Sequence, residues 1–281
     1  PEGGYVKRKR CGECEGCNAS NCGKCDNCRD MPCYGGKGTK RQSCRNRLCT
    51  VIAEEDSLWH GRSLFDLYRE AHTPWDWHGP MFERARQRGL VAFSSAFDHT
   101  AVDFLEELDV PCFKVASFEA TDLPLVRYIA SKGRPMIIST GMCTVAEIDE
   151  TMRVVRGAGC DDVVLLKCTS SYPSTPEHSN IRTIPHLAEL FGCQVGLSDH
   201  TRGIGVAVAS VALGSTVIEK HFTLDRDDGG VDSAFSMEPH ELRALVDETS
   251  RARLGLGDIA YGTAEIERDS LRFRRSIYIT E

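Results

Sequence analysis

The sequence predicts two bodies in one chain: a small irregular module knit by cysteines, followed by an α/β domain. Three observations carry this. Nine of the fourteen cysteines fall within residues 1–50. Charge divides at the same point, with eleven Lys/Arg against five Asp/Glu in the first fifty residues and 23 against 36 in the rest. From about Leu64 onward, short apolar runs alternate with amphipathic segments, the rhythm of parallel β/α units. The chain has 281 residues, 41% hydrophobic and 27% charged, enough for one substantial core beside a small module. No apolar run approaches the roughly 18 residues of a membrane span, and no charged-then-apolar signal segment opens the sequence. A soluble, intracellular protein is therefore expected.

The module comes first. Cys11, Cys14 and Cys17 form one Cys-x-x-Cys-x-x-Cys triplet, and Cys22, Cys25 and Cys28 form a second. Each Cys-x-x-Cys turn puts two thiolates on one side of a tight knuckle, the spacing that a tetrahedral Zn²⁺ requires. Each triplet lacks a fourth ligand, and Cys44 and Cys49 follow to supply two. Eight thiolates make two four-cysteine zinc sites. The segment has almost no apolar residues for a core, so metal binding would supply most of its folding free energy. The competing reading is a disulfide framework, which suits a secreted domain and finds no secretory signal here. Cys33 falls outside the pattern as a spare thiol.

The second body follows in order. "LVAFSSAFD", "CFKVASFE", "PMIISTG", "VVLLKCTSSYP", "QVGLSDHT" and "VIEKHFTLD" read as six buried strands, apolar until their last few residues. "TAVDFLEEL", "LPLVRYIAS", "TVAEIDETMRVVRGAG", "IPHLAELFG", "GIGVAVASVALG" and "MEPHELRALVDETSRAR" read as six helices alternating with them. The rhythm fits either a doubly wound sheet or a (β/α)₈ barrel. Polar residues gather at the strand ends: Ser94, Ser95, Lys114, Ser117, Glu119, Ser139, Thr140, Thr169, Tyr172, Asp199, His200, Lys220 and His221. In a barrel all would face one mouth. A lone histidine there is usually structural. Two on adjacent strands, each beside a charged residue, point toward a metal site.

Two resemblances sharpen these readings. "RCGECEGCNASNCGKCDNCRDMPCYGGKGTKRQSCRNRLC" resembles a CXXC zinc finger, the module of CpG-binding chromatin proteins, including the Gly35–Gly36 turn and the closing Arg-x-x-Cys. The resemblance implies one zinc on Cys11, Cys14, Cys17 and Cys49 and a second on Cys22, Cys25, Cys28 and Cys44. It further implies that Lys40, Arg41 and Gln42 read unmethylated CpG in double-stranded DNA from the major groove. Their donors and acceptors suit guanine O6 and N7 and the neighbouring base edges. Lys7, Arg8, Lys9 and Arg10 would contact phosphates or serve as a nuclear-localisation patch; alone, such a run reads as a solvated tail. Four thiolates leave each zinc site with a charge of about −2, so the basic balance of the module is small and binding must come from where the basic residues sit.

The remainder, from about residue 58, is similar to the sialic acid synthase family through "AHTPWDWH", "ISTGM", "KCTSSYPS", "GLSDHTRG", "EKHFTLDRDDGGVDSAFSMEP" and "RRSIY". "AHTPWDWH" leans toward the pseudaminic acid synthase branch. The resemblance implies condensation of phosphoenolpyruvate with an N-acetylated sugar aldehyde, using a divalent metal such as Mn²⁺ or Mg²⁺. Matched by position, His200 and His221 would hold that metal; Ser95, Lys114, Ser117 and Tyr172 would meet phosphoenolpyruvate; Glu119 and Asp232 would meet the sugar. Ser170 stands where sialic acid synthases commonly carry Asn, which points to a different sugar or the pseudaminic branch.

The family's first strand, with its Glu-Ile-Gly-x-Asn-His type motif, and its second strand, with a phosphate-binding Lys, find no match; nor does its C-terminal antifreeze-like domain. The expected architecture is a zinc-stabilised module over residues 1–50 and, over 51–281, an incomplete TIM-type (β/α) barrel with about six of eight strands. Little synthase activity is expected from this chain alone, with the partial barrel serving as a scaffold or homodimer surface in a nuclear CpG binder. The alternative is a cytoplasmic synthase whose remaining strands lie outside this sequence, the finger being a targeting module or the product of a misjoined gene model. The abrupt change near Thr50, without a Pro/Gly/Ser linker, raises that last reading.

Overall fold

The computed structural model describes residues 18–37, 44–47 and 64–275. In the module, a one-turn helix α1 (Asp26–Asp30) carries Asp26 in its first turn and Arg29 in its last, complementing the helix dipole. A 3₁₀ turn over Pro32–Tyr34 follows, closed by Gly35 at φ 84°, a left-handed conformation that glycine adopts without Cβ strain. Gly36 is required for space: a Cβ there would lie 2.2 Å from the Arg29 carbonyl oxygen. A second 3₁₀ turn spans Arg45–Arg47.

The larger body runs α2 (Leu64–Ala71), α3 (Trp75–Gln87), α4 (His99–Glu107), β1 (Phe113–Val115), α5 (Leu123–Ala130), β2 (Met136–Ser139), α6 (Val145–Gly157), β3 (Val163–Cys168), α7 (Thr183–Phe191), β4 (Gln194–Ser198), α8 (Gly205–Ala212), β5 (Val217–Glu219) and α9 (Pro239–Gly255). The helix starts follow local chemistry. Asp98 accepts from the Ala101 amide at 2.8 Å and Asp122 from the Leu125 amide at 3.2 Å. Thr144 and Glu147 form a reciprocal capping box at α6. α7 stops at Gly192, which is left-handed.

All five strands are parallel and lie in the order β1-β2-β3-β4-β5. A doubly wound sheet reverses order at a switch point; strictly sequential order keeps the crossover helices on one face and is the order of a barrel. The body is a half-barrel. Side chains alternate across it. One parity aligns Phe113 with Met136 and Val163, and Val115 with Ile138, Leu165 and Val195. These join Val102, Leu105, Leu125, Ile129, Ile148, Met152, Val155, Ile184 and Leu187 from the helices in one buried core. The opposite parity aligns Ser139 with Leu166 and Gly196, and Cys168 with Ser198 and Glu219; this is the inner face.

The six strands expected become five among the described residues. The segment read as the first strand, 90–98, contributes a single bridge, Ser95 to Lys114. Its Leu90, Val91, Phe93 and Phe97 are exposed: it lies at the sheet edge, and among the described residues no strand pairs its far side. Two helices went unread in the sequence. α3 holds Gly79 and Pro80 in its interior, residues that locally signal a break. It forms because Trp75 stacks on Phe104 at 4.6 Å and His78 meets Phe82 and Phe104 edge-on. No helix among the described residues is long and apolar enough to cross a membrane.

Candidate functional site

Two sites emerge. In the module, the Sγ atoms of Cys22, Cys25, Cys28 and Cys44 all lie within 4.8 Å of one another. Cys22 to Cys28 and Cys25 to Cys44 are each 3.9 Å. A tetrahedron with Zn–S of roughly 2.3 Å has edges of about 3.8 Å, whereas a disulfide closes to about 2.05 Å. The four thiols are free and spaced for an ion. Backbone amides are aimed at the sulfurs, Cys22 N–H to Cys44 Sγ at 3.2 Å and Cys25 N–H to Cys22 Sγ at 3.4 Å. That arrangement favours thiolates: the Cys22 amide leads in holding Cys44 below the ordinary thiol value, against its burial. Burial, with the neighbouring thiols, pushes Cys28 up to about 12. Without a cation the cluster resists full ionisation; a divalent cation removes that penalty. Cys33 is exposed and outside the cluster. Cys11, Cys14, Cys17, Cys49, Lys7, Arg8, Lys9, Arg10, Lys40, Arg41 and Gln42 lie outside the described residues.

The second site lies at the C-terminal ends of the strands. Lys114, almost fully buried on β1, donates to Ser139 Oγ at 2.8 Å and the Val115 carbonyl at 3.0 Å, and pairs with Glu219 Oε2 at 3.4 Å. Glu219 Oε1 accepts from Ser198 Oγ at 2.7 Å. The ammonium is thus held at the mouth by three strands, a geometry suited to a carboxylate or phosphate. Ser117 Oγ accepts from the Gly141 amide at 3.0 Å. Close approach explains the glycine: a Cβ on Gly141 would fall 2.3 Å from Ser170 Oγ and 2.8 Å from Ser117 Oγ.

His200 and His221 face each other with ring centroids 5.2 Å apart, and the Tyr172 ring lies 4.4 Å from His200 and 5.9 Å from His221. Phe235 closes the group at 5.0 Å from His221. His200 Nδ1 is 2.9 Å from the Thr169 carbonyl; this contact requires Nδ1–H and leaves Nε2 as a lone-pair donor. His221 Nδ1 is 3.4 Å from Asp232 Oδ2, a carboxylate that orients the ring in the same way. Two imidazoles with Nδ1 engaged and Nε2 left over can offer two nitrogen ligands to a divalent metal. Beside them, burial would raise the Cys168 thiol, but the His200 bond with those of Ser117 and Ser170 brings it down to about 7. Burial opposes protonation of His200, and the Cys168 and Thr169 contacts outweigh it, raising its value. Burial pushes Tyr172 up to about 12.

Of the residues expected at this mouth, Lys114 and Ser95 are joined by the bridge, and Tyr172, His200, His221 and Asp232 form one group. Ser117 stands beside Gly141 across the β1–β2 ends. Glu119 lies in the turn after β1. Sequence reasoning passed over Glu219, Ser198 and Cys168. A parity signal was available: Ser198 and Glu219 stand two residues before His200 and His221 and so share their face.

The chain was compared with known proteins. A model of the NeuB family matches residues 39–261, and a model of the CXXC zinc finger domain matches residues 3–49. A pseudaminic acid synthase of Campylobacter jejuni subsp. jejuni serotype O:23/36 is 40% identical over 227 residues, 80% of this chain and 65% of that protein. The pseudaminic acid synthase of Helicobacter pylori is 37% identical over 230 residues, 80% of this chain and 68% of that protein. A crystal structure of an N-acetylneuraminic acid synthetase from Leptospira borgpetersenii serovar Hardjo-bovis superposes with a TM-score of 0.69 at 31% identity, covering 74% of this chain and 73% of that one. The chain thus spans about 65% of the length of the Campylobacter relative.

Proposed function

Since the chain belongs to the NeuB family over residues 39–261 and carries a CXXC zinc finger over residues 3–49, we propose that it joins a zinc-dependent binder of unmethylated CpG DNA to a synthase-type barrel mouth. The observation that carries the first half is the set of four thiols at tetrahedral spacing. Cys22, Cys25, Cys28 and Cys44 hold one zinc; Cys11, Cys14, Cys17 and Cys49 hold the second. Lys40, Arg41 and Gln42 read the base edges, and Lys7, Arg8, Lys9 and Arg10 meet phosphates. The nuclear compartment goes with this reading. The module spans residues 1–50 and the barrel domain 51–281. The test is binding of the full chain to duplexes with CpG or 5-methyl-CpG, alongside a Lys40→Ala/Arg41→Ala/Gln42→Ala variant. Preference for the unmethylated duplex, lost in the variant, supports the reading; equal binding of both duplexes overturns it.

As a second reading, supported by Lys114, His200 and His221 at the strand ends, we propose that the mouth is of the type that condenses phosphoenolpyruvate with an N-acetylated sugar aldehyde. Little turnover is expected from this chain alone. His200 and His221 would hold a divalent metal such as Mn²⁺ or Mg²⁺, which when bound would supply Lewis-acid polarisation of the aldehyde. Lys114 exchanges its contact with Glu219 or Ser139 for an anionic oxygen of phosphoenolpyruvate, with Ser95 and Ser117 donating to its neighbours. Tyr172 closes one wall over the histidines and excludes water. Asp232 orients His221 and, with Glu119, meets the sugar. Ser170, where sialic acid synthases commonly carry Asn, goes with a different sugar or the pseudaminic branch. Phosphate release from phosphoenolpyruvate and the sugar, with Mn²⁺ present, reads this out: turnover abolished by Lys114→Ala supports it, and none in the wild type leaves the half-barrel as a scaffold, through which two copies would meet.

A further inference from the structure

Behind the two histidines lies a charge pair that substrate cannot reach. Asp199 and Lys220 each directly precede a histidine, His200 at the end of β4 and His221 at the end of β5. Lys220 Nζ is 2.9 Å from Asp199 Oδ2, with the side chains 5% and 2% exposed. Its other donors go to the Thr201 carbonyl at 2.7 Å and the Gly203 carbonyl at 3.0 Å. Asp199 Oδ1 accepts from the Thr201 amide at 2.9 Å and its hydroxyl at 2.8 Å, and the Asp199 amide donates to the Glu219 carbonyl at 2.9 Å. Every donor of the ammonium is spent within the protein, so neither group is available to a ligand.

Alternation places the pair on the face opposite the histidines. A buried ion pair is weak evidence for stability, because apolar replacements of both partners are often neutral; its better attested use is to fix a geometry. Here the geometry at stake is clear. β5 is three residues long and half-buried, and among the described residues it pairs with β4 alone. Beyond this short ladder the segment carrying His221 is bridged to Met237, whose amide donates to the His221 carbonyl at 2.8 Å, and a side-chain tie to β4 must come from elsewhere. The ion pair clasps that end to β4 one residue before each imidazole, while Ser198 and Glu219 tie the inner face.

We propose that Asp199 and Lys220 are positioning residues that fix the separation of His200 and His221 for a divalent metal, and so hold His200 against the Thr169 carbonyl that sets its tautomer. The inference rests on the metal reading of those histidines, so its test separates the two. Mn²⁺ binding is titrated calorimetrically on the full chain for the wild type, His221→Ala, Asp199→Asn and the double variant Asp199→Leu/Lys220→Met. The double variant leaves no buried charge but removes the acceptor of the Thr201 amide and hydroxyl, whereas Asp199→Asn keeps an acceptor oxygen there; both are titrated at a temperature where their melting curves show them folded. The Mn²⁺ affinity of the double variant should fall about 10- to 100-fold, the usual cost of losing a group that orients a metal ligand, and that of Asp199→Asn several-fold. Folded variants that bind within two-fold of the wild type overturn the proposal. If His221→Ala binds Mn²⁺ as the wild type does, the metal reading fails on its own. The positioning claim is then decided by long-range ¹H–¹⁵N histidine spectra of the metal-free chain. Loss of the His200 Nδ1–H tautomer in the double variant supports the clasp, and its retention overturns it.

Discussion

His200 shows how much of the site is decided by one hydrogen bond. Its Nδ1–H is committed to the Thr169 carbonyl at 2.9 Å, so the remaining nitrogen is the one a metal would meet. His200→Ala is expected to lower Mn²⁺ affinity at least tenfold by calorimetric titration while leaving the thermal midpoint within a few degrees. Gly141 makes a steric prediction. Its replacement by Ala drives a methyl into Ser117 and Ser170, and should cost about 1–3 kcal/mol in urea unfolding and disturb the Ser117 contact. At this scale the sequence was readable where a residue type carries its own chemistry, as with His200, His221 and Lys114. It was unreadable where meaning comes from register: Glu219 enters the mouth because Ser198 and Cys168 align beside it, a fact of strand pairing that no local window contains.

The elements follow local rules closely, and α6 tests them. Thr144 and Glu147 cap it reciprocally, and the Thr144 amide and hydroxyl hold the Glu147 carboxyl below its ordinary value of 4.5. A carboxylate whose folded pKa is depressed adds stability above the unfolded pKa and loses it as pH falls through the folded one. Glu147→Gln should therefore lower the melting temperature at pH 7, and the difference from the wild type should shrink as pH falls through the depressed folded pKa of Glu147. Thr144→Ala removes the cap at a cost of about 1 kcal/mol. In the sheet, Leu165 is fully buried on the helix-covered face, and Leu165→Ala should cost about 2–5 kcal/mol in the same urea assay. Five of the six predicted strands and all six predicted helices could be read from apolar runs and caps. The exception is instructive: 90–98 has the composition of a strand, yet it forms one bridge, because pairing needs neighbours and composition does not supply them. α3 erred the other way, its Gly79 and Pro80 overruled by the Trp75–Phe104 stack.

The whole chain combines two ways of earning a fold. The half-barrel buries a continuous apolar core between helices and sheet. Among its described residues the module contributes only Cys28 and Cys44 to the buried apolar set, so an ion held by its thiols is expected to supply much of its stability. The cysteine and charge asymmetry made this division legible in the sequence. The β/α rhythm left a barrel and a doubly wound sheet both open; the family resemblance implied the barrel, and the sequential strand order agrees with it. The most direct measurement is therefore a chelator titration of the full chain, following zinc release, retention on an unmethylated CpG duplex and the calorimetric unfolding transition together. The account predicts that stripping zinc abolishes DNA retention while the main unfolding transition keeps its midpoint. DNA retention that survives complete zinc removal would contradict it.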